Sequence, residues 1–234
     1  MRRLLLISNS TNHGGGYLDH VAAEIDGFLG PVRRLLFVPF ALADRAGYVA
    51  TVRARLAAIG VEVEGLTADA AGHRRLAEAE AVFVGGGNTF RLLDTMRRSG
   101  LLGHLASRAG EGLPYVGSSA GTNLACPTVR TTNDMPIVEP SSLGALGLVP
   151  FQINPHYLDP DPASTHMGET REQRIREFHE ENETPVLGVR EGAWIRVEGP
   201  RAWIAGTRGA RLFRRGLGPE ERAPGAHLDD LLAT

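Results

Sequence analysis

Between residues 4 and 126 the chain repeats one pattern, a short apolar run closed by small or polar residues and then a segment with helical spacing. Leu4 to Ser8, Leu35-Leu36-Phe37-Val38-Pro39, the alternating Val61 to Glu64, Ala81 to Val84 and Tyr115-Val116 read as strands. Runs that are apolar throughout belong in a sheet covered on both faces. Tyr17 to Phe28 puts Leu18, Val21, Ala22, Ile25 and Phe28 on one helical face, and Tyr48 to Ile59 does the same through Val49, Val52, Leu56 and Ile59. Segments at Gly72 to Glu80, Phe90 to Arg98 and Leu101 to Arg108 continue the series. Such alternation predicts an α/β fold, a mostly parallel sheet with helices on both faces.

After Cys126-Pro127 the texture changes. Thr128 to Pro155 is rich in Thr, Pro, Ser and Gly, and a helix follows at Thr170 to Glu180. Short strands then crowd together at 186–189, 193–197, 202–205 and 210–213, with Glu198-Gly199-Pro200 turning the middle pair into an antiparallel hairpin. Gly216 to Ala226 reads as a loose connector and His227 to Leu232 as a short terminal helix. The length of 234 residues suits a single domain, 1–234, with a substantial core.

A net charge of −2 with no basic block gives no footprint for nucleic acid. The apolar run after Arg2-Arg3 is too short for a signal peptide, and nothing is long enough to span a bilayer. Cys126 is the only cysteine, which forbids an internal disulfide and points to a reducing, cytoplasmic setting. No His-Glu-x-x-His or cysteine pair occurs, so no metal or other cofactor is expected.

Chemistry concentrates at Gly117-x-Ser119-x-Gly121. A serine on a sharp strand-to-helix turn needs small neighbours and presents its hydroxyl at the carboxyl end of a sheet. The pentapeptide alone is equally compatible with a plain Gly-rich turn. A serine nucleophile requires a base, and the base an orienting carboxylate. His156 follows the apolar run at Phe151-Gln152-Ile153, where loops carry function. His13, before Gly14-Gly15-Gly16, is a weaker second choice, and the other histidines read as solvated. Asp134 and Glu191 are both candidates for the carboxylate. Oxyanion donors are available from the N–H of Ala120 and from Gly85-Gly86-Gly87.

Arg171 breaks a local rule. Thr170-x-x-Gln173 resembles a capping box, which would place Arg171 in the first helical turn, where a cation opposes the helix dipole. It also shares the apolar stripe with Ile175 and Phe178. Either a substrate carboxylate or an internal ion pair would account for it.

Ser8-Asn9-Ser10-Thr11, Val84 to Phe90, Gly117 to Asn123, Arg130 to Pro136, Gln152 to Tyr157, Gly168 to Ile175 and Glu191 to Ile195 together resemble the peptidase E family of serine peptidases. These α-aspartyl dipeptidases share their family with cyanophycinase. The resemblance implies a flavodoxin-like, class I glutamine amidotransferase-like sheet that carries Ser119 where the amidotransferases have cysteine. It implies a cytoplasmic exopeptidase acting on small peptides with an N-terminal aspartate (Asp-X). Ser119 would be the nucleophile and His156 the general base and acid. Glu191 would be the third member, preferred because a strand end aims a carboxylate rigidly; Asp134 stays as the alternative or as a contact for the substrate amine. Gly86, Gly87 and Ala120 would form the oxyanion hole, and Arg171 and Asn88 would bind substrate. Cyanophycinase-like or esterase activity, or a silent binding module on the same fold, remain the alternatives. A free edge on the C-terminal strands would allow a homodimer.

Overall fold

The computed structural model describes residues 1–161, 163, 165 and 168–233. Five strands lie parallel: β1 (Arg3–Ile7), β2 (Arg34–Val38), β3 (Glu62–Gly65), β4 (Val82–Val84) and β5 (Tyr115–Ser118). A second sheet is built from β6 (Gln152–Tyr157), β7 (Val186–Arg190), β10 (Ala210–Phe213) and β11 (Glu220–Arg222). The hairpin β8 (Ala193–Glu198) and β9 (Arg201–Gly206) runs antiparallel onto β1, so the main sheet is ordered β3-β2-β4-β5-β1-β8-β9.

Alternation along each strand feeds two cores. Leu4 and Leu6, Leu36 and Val38, and Val82 and Val84 face one side; Leu5 and Ile7, Leu35 and Phe37, and Phe83 face the other. Helices α1 (Ala22–Leu29) and α2 (Arg45–Ala57) cover the second face with Ile25, Phe28, Val52 and Leu56. The first is covered by α3 (Ala70–Glu78), α4 (Thr89–Arg98), α5 (Leu101–Glu111) and α6 (Ala120–Leu124) together with Ile153, Leu187 and Val189 of the second sheet. Both sheets therefore share one core. The expected α/β fold with helices on both faces is the one found.

Several boundaries differ from the sequence reading. Asp44 and Asp69 cap α2 and α3 by accepting from Gly47 and Gly72 N–H, so both helices begin ahead of the expected residues. The first helical segment opens instead as a 3₁₀ turn, Asp19–Val21. The supposed connector 216–226 contains β11. Its Glu220, Glu221 and Arg222 carry no apolar signal, and the β10 ladder and ion pairs to Arg214 and Arg190 hold it. The outer side of β9 is taken by the chain's own tail, through Ala226 carbonyl to Ile204 N–H and Leu228 N–H to Ala202 carbonyl. Among the described residues no helix is long and apolar enough to cross a membrane.

Candidate active site

Ser119 is the whole connection between β5 and α6, and it stands at φ 51, ψ −106. An L-residue holds a positive φ only when its surroundings over-determine it, at a cost of about 1–3 kcal/mol. Here Ser119 N–H donates to Ile7 carbonyl at 3.0 Å, and Thr122 Oγ donates to the Ile7 and Gly117 carbonyls at 2.7 and 3.0 Å. Crowding explains the flanking glycines. A Cβ on Gly117 would stand 2.7 Å from Gly121 carbonyl oxygen, and one on Gly121 would stand 2.1 Å from Val84 carbonyl oxygen.

His156 comes from the second sheet and lies inside β6 rather than after it. The β6–β7 register slips between Asn154 and Tyr157, and His156 takes φ 52 at that bulge. A bulge bends the strand and re-aims a side chain. His156 Nε2 reaches Ser119 Oγ at 3.0 Å, and Nδ1 reaches Glu191 Oε1 at 2.7 Å. With Nδ1–H donated to the carboxylate, Nε2 is left as the acceptor for the serine hydroxyl. Glu191 stands in the tight β7–β8 turn, ahead of Gly192 at φ 81.

Asp134 does not touch His156 by hydrogen bond. Its Oδ2 accepts from Thr89 N–H, at 2.7 Å, and it lines the cleft beside Ser119 and His156. Asn88, expected to meet substrate, is engaged at both ends of its amide: Oδ1 caps α4 by accepting from Arg91 N–H, and Nδ2 donates to Met135 carbonyl. Gly86 lies against the elbow, and Gly87 lines the same cleft beside Leu42 and Ala41. A Cβ on Gly86 would approach Ser119 Cβ to 3.2 Å, and Gly87 has φ 127. The N–H of Ala120, first residue of α6, has no acceptor within its helix.

Half-buried Arg171 opens α7 (Arg171–Glu181), and the capping box between Thr170 and Gln173 is present. It borders Asn133 and Asn154 in a small recess. Burial, then the neighbouring Arg174 charge, lowers its pKa, while Asp134 raises it. No carboxylate of the described residues pairs with it, whereas Arg174 holds Glu169 at 3.3 Å. The internal ion pair is therefore not the account of Arg171 among those residues.

The cleft of about 700 Å³ over Ser119 is also lined by Ser10, Tyr17, Leu42, Asp44 and Tyr48, none of which the sequence singled out for a site. Tyr17 hydroxyl donates to Tyr48 hydroxyl at 3.4 Å, and burial pushes both phenols up, so both stay neutral. Each stood in the sequence only as the first residue of a helical segment, with nothing in its residue type to point to a site. His13 is exposed on its loop. Of the histidines expected to be solvated, His179 is buried, the ring nitrogens of His20 are inaccessible, and His73 stacks on His104; His166 lies outside the described residues.

A hydroxyl on a strained elbow, an imidazole and a carboxylate in one hydrogen-bonded line, above a parallel sheet, define a serine hydrolase of the α/β class. The chain belongs to peptidase family S51, whose model matches residues 4–205. It is 61% identical over 229 residues to peptidase E of Streptomyces coelicolor, covering 98% of this chain and 94% of that protein. It is 50% identical over 234 residues to a Drosophila melanogaster protein named "Probable alpha-aspartyl dipeptidase", covering 99% and 98%. The crystal structure of a peptidase from an acI-B1 actinobacterium matches the fold with a TM-score of 0.73 at 17% identity, over 97% of this chain and 96% of that one.

Proposed function

We propose that this serine peptidase hydrolyses dipeptides with an N-terminal aspartate through an acyl-enzyme on Ser119. The observation that carries the proposal is the line Ser119–His156–Glu191, at 3.0 and 2.7 Å. Ser119 Oγ attacks the carbonyl after the aspartate while its proton passes to His156 Nε2. Glu191 holds the resulting imidazolium by its Nδ1–H. Charge developing on the carbonyl oxygen is met by the N–H of Ala120 and the Gly86-Gly87 backbone. The leaving amine takes the proton from Nε2, and water then repeats the sequence to release aspartate.

Arg171 is the group proposed to receive the aspartyl side-chain carboxylate, since it is half-buried and unpaired among the described residues. Asp134, which lines the cleft, is proposed to meet the substrate's α-ammonium. The names of the two relatives support this choice of substrate. A shared core supports treating residues 1–234 as one peptidase domain. The single buried cysteine supports a cytoplasmic setting.

The test is a panel of Asp-X, Ala-X and β-linked aspartyl-arginine substrates, assayed in the presence of chelator. Turnover of Asp-X, abolished by Ser119→Ala, is expected. Equal turnover of Ala-X, or an active Ser119→Ala variant, would overturn the proposal.

A further inference from the structure

Two adjacent side chains just beyond β1 have no part in the chemistry described above, yet each is tied to one member of the catalytic line. Ser8 is fully buried. Its Oγ accepts from the His156 N–H at 2.9 Å and donates to the Val189 carbonyl of β7 at 2.8 Å. One hydroxyl thus spans the gap that the bulge opens between β6 and β7, and it holds the backbone of the residue that sits at φ 52. Asn9 is buried too. Its Oδ1 accepts from Gly192 N–H at 2.8 Å, in the turn that carries Glu191. Its Nδ2 donates to Thr11 carbonyl at 2.9 Å and to Asn12 Oδ1 at 2.7 Å, so the amide cannot swing away without losing several bonds. From the other side Thr207 N–H donates to Gly192 carbonyl at 3.0 Å.

We infer that Ser8 and Asn9 are positioning residues of the peptidase, Ser8 acting through His156 and Asn9 through Glu191. The inference rests on the serine-hydrolase reading of the site. The physical need is plain. His156 and Glu191 both stand on irregular backbone, a left-handed bulge and the turn before Gly192, and both belong to the seam between the sheets. The parallel strand β1 is the rigid element at that seam, because it is buried on both faces and paired on both edges. A buried hydroxyl and a buried amide at its end transmit that rigidity to the imidazole and the carboxylate. Misplacement by about 1 Å costs on the order of 10²-fold in rate.

The test uses full-length protein carrying Ser8→Ala or Asn9→Ala, with Asn9→Ala also placed in a Glu191→Gln background. Two rates are read for each: kcat and KM on an Asp-X dipeptide, and the rate at which a fluorophosphonate labels Ser119. Thermal unfolding is recorded alongside. Both single variants should lose kcat and labelling rate by on the order of 10²-fold with KM nearly unchanged. In the Glu191→Gln background Asn9→Ala should cost little more, because the group it positions is already disabled. A merely structural role would lower the unfolding temperature and leave this coupling absent. Single variants with parental kcat and labelling, or an undiminished loss in the Glu191→Gln background, overturn the inference. If Ser8→Ala does not fold, Asn9→Ala and its double variant decide. If the parent is labelled but leaves Asp-X intact, only the substrate assignment falls and labelling still scores the positioning; if it is neither labelled nor active, both fall.

Discussion

Glu191 and Asp134 serve different neighbours: Glu191 Oε1 lies 2.7 Å from His156 Nδ1, and Asp134 Oδ2 lies 2.7 Å from the N–H of Thr89 at the start of α4. The two carboxylates could not be ranked by residue type. What separates them is that the β7–β8 turn brings Glu191 onto the far side of the imidazole, while Asp134 is held by a helix end that favours negative charge.

Glu191→Gln should therefore lower kcat by about 10²–10⁴-fold, because an amide neither fixes the tautomer nor stabilises the imidazolium. Asp134→Asn keeps an acceptor for Thr89 N–H and should act mainly on KM, through the lost charge toward the substrate amine. Steady-state kinetics of the two variants check this. A larger kcat loss in Asp134→Asn would reverse the roles.

Arg171→Ala should reduce kcat/KM for Asp-X by about ten- to hundred-fold, the equivalent of about 1.5–3 kcal/mol for a charge-assisted contact. Asn-X, which lacks the charge, should lose much less. Arg171→Lys should recover only part of the loss, since an ammonium cannot offer a planar fork to a carboxylate. Retention of the Asp preference in Arg171→Ala would refute the assignment.

How far the sequence could be read follows from what each element depends on. The parallel strands were legible because Leu4 to Ile7 or Ala81 to Val84 are apolar on both faces, a signal carried by residue type alone. β11 was not, since Glu220-Glu221-Arg222 becomes a strand only beside β10. The elbow at Ser119 was legible from its small neighbours, where an added Cβ would stand 2.7 and 2.1 Å from carbonyl oxygens. His156 was read as following a short strand rather than lying inside one, because nothing in its residue type marks a bulge at φ 52. Ser8 and Asn9 stood in a stretch used for family resemblance without any role, since their partners lie 148 and 183 residues away. Asn88 was assigned toward substrate, and its bonds to Arg91 N–H and Met135 carbonyl were not visible in its residue type.

Gly121→Ala should destabilise the fold by about 3 kcal/mol or more, since its Cβ would meet Val84 carbonyl oxygen at 2.1 Å, and β4 is held between β2 and β5 while Gly121 is fixed in α6. Gly103 gives the contrast. It lies inside α5 with nothing within 4 Å of an added Cβ, so Gly103→Ala should stabilise by about 0.4–1 kcal/mol. Urea denaturation of both variants measures the difference, and a destabilised Gly103→Ala or a neutral Gly121→Ala would contradict it.

Cys126 should be chemically silent in the folded protein. It is fully buried, with Sγ 3.6 Å from the Thr122 carbonyl, and burial pushes its thiol from the usual 9.0 up to about 12. The unfolded chain releases that proton from about pH 9, whereas the folded chain keeps it to about pH 12. The associated stability is accordingly complete below pH 9 and is lost as pH rises from 9 toward 12. Iodoacetamide at pH 8 should modify Cys126 only as fast as the chain unfolds, and denaturant should make the reaction immediate. Rapid alkylation of native protein at that pH, measured by intact mass, would show that the thiol is open to solvent.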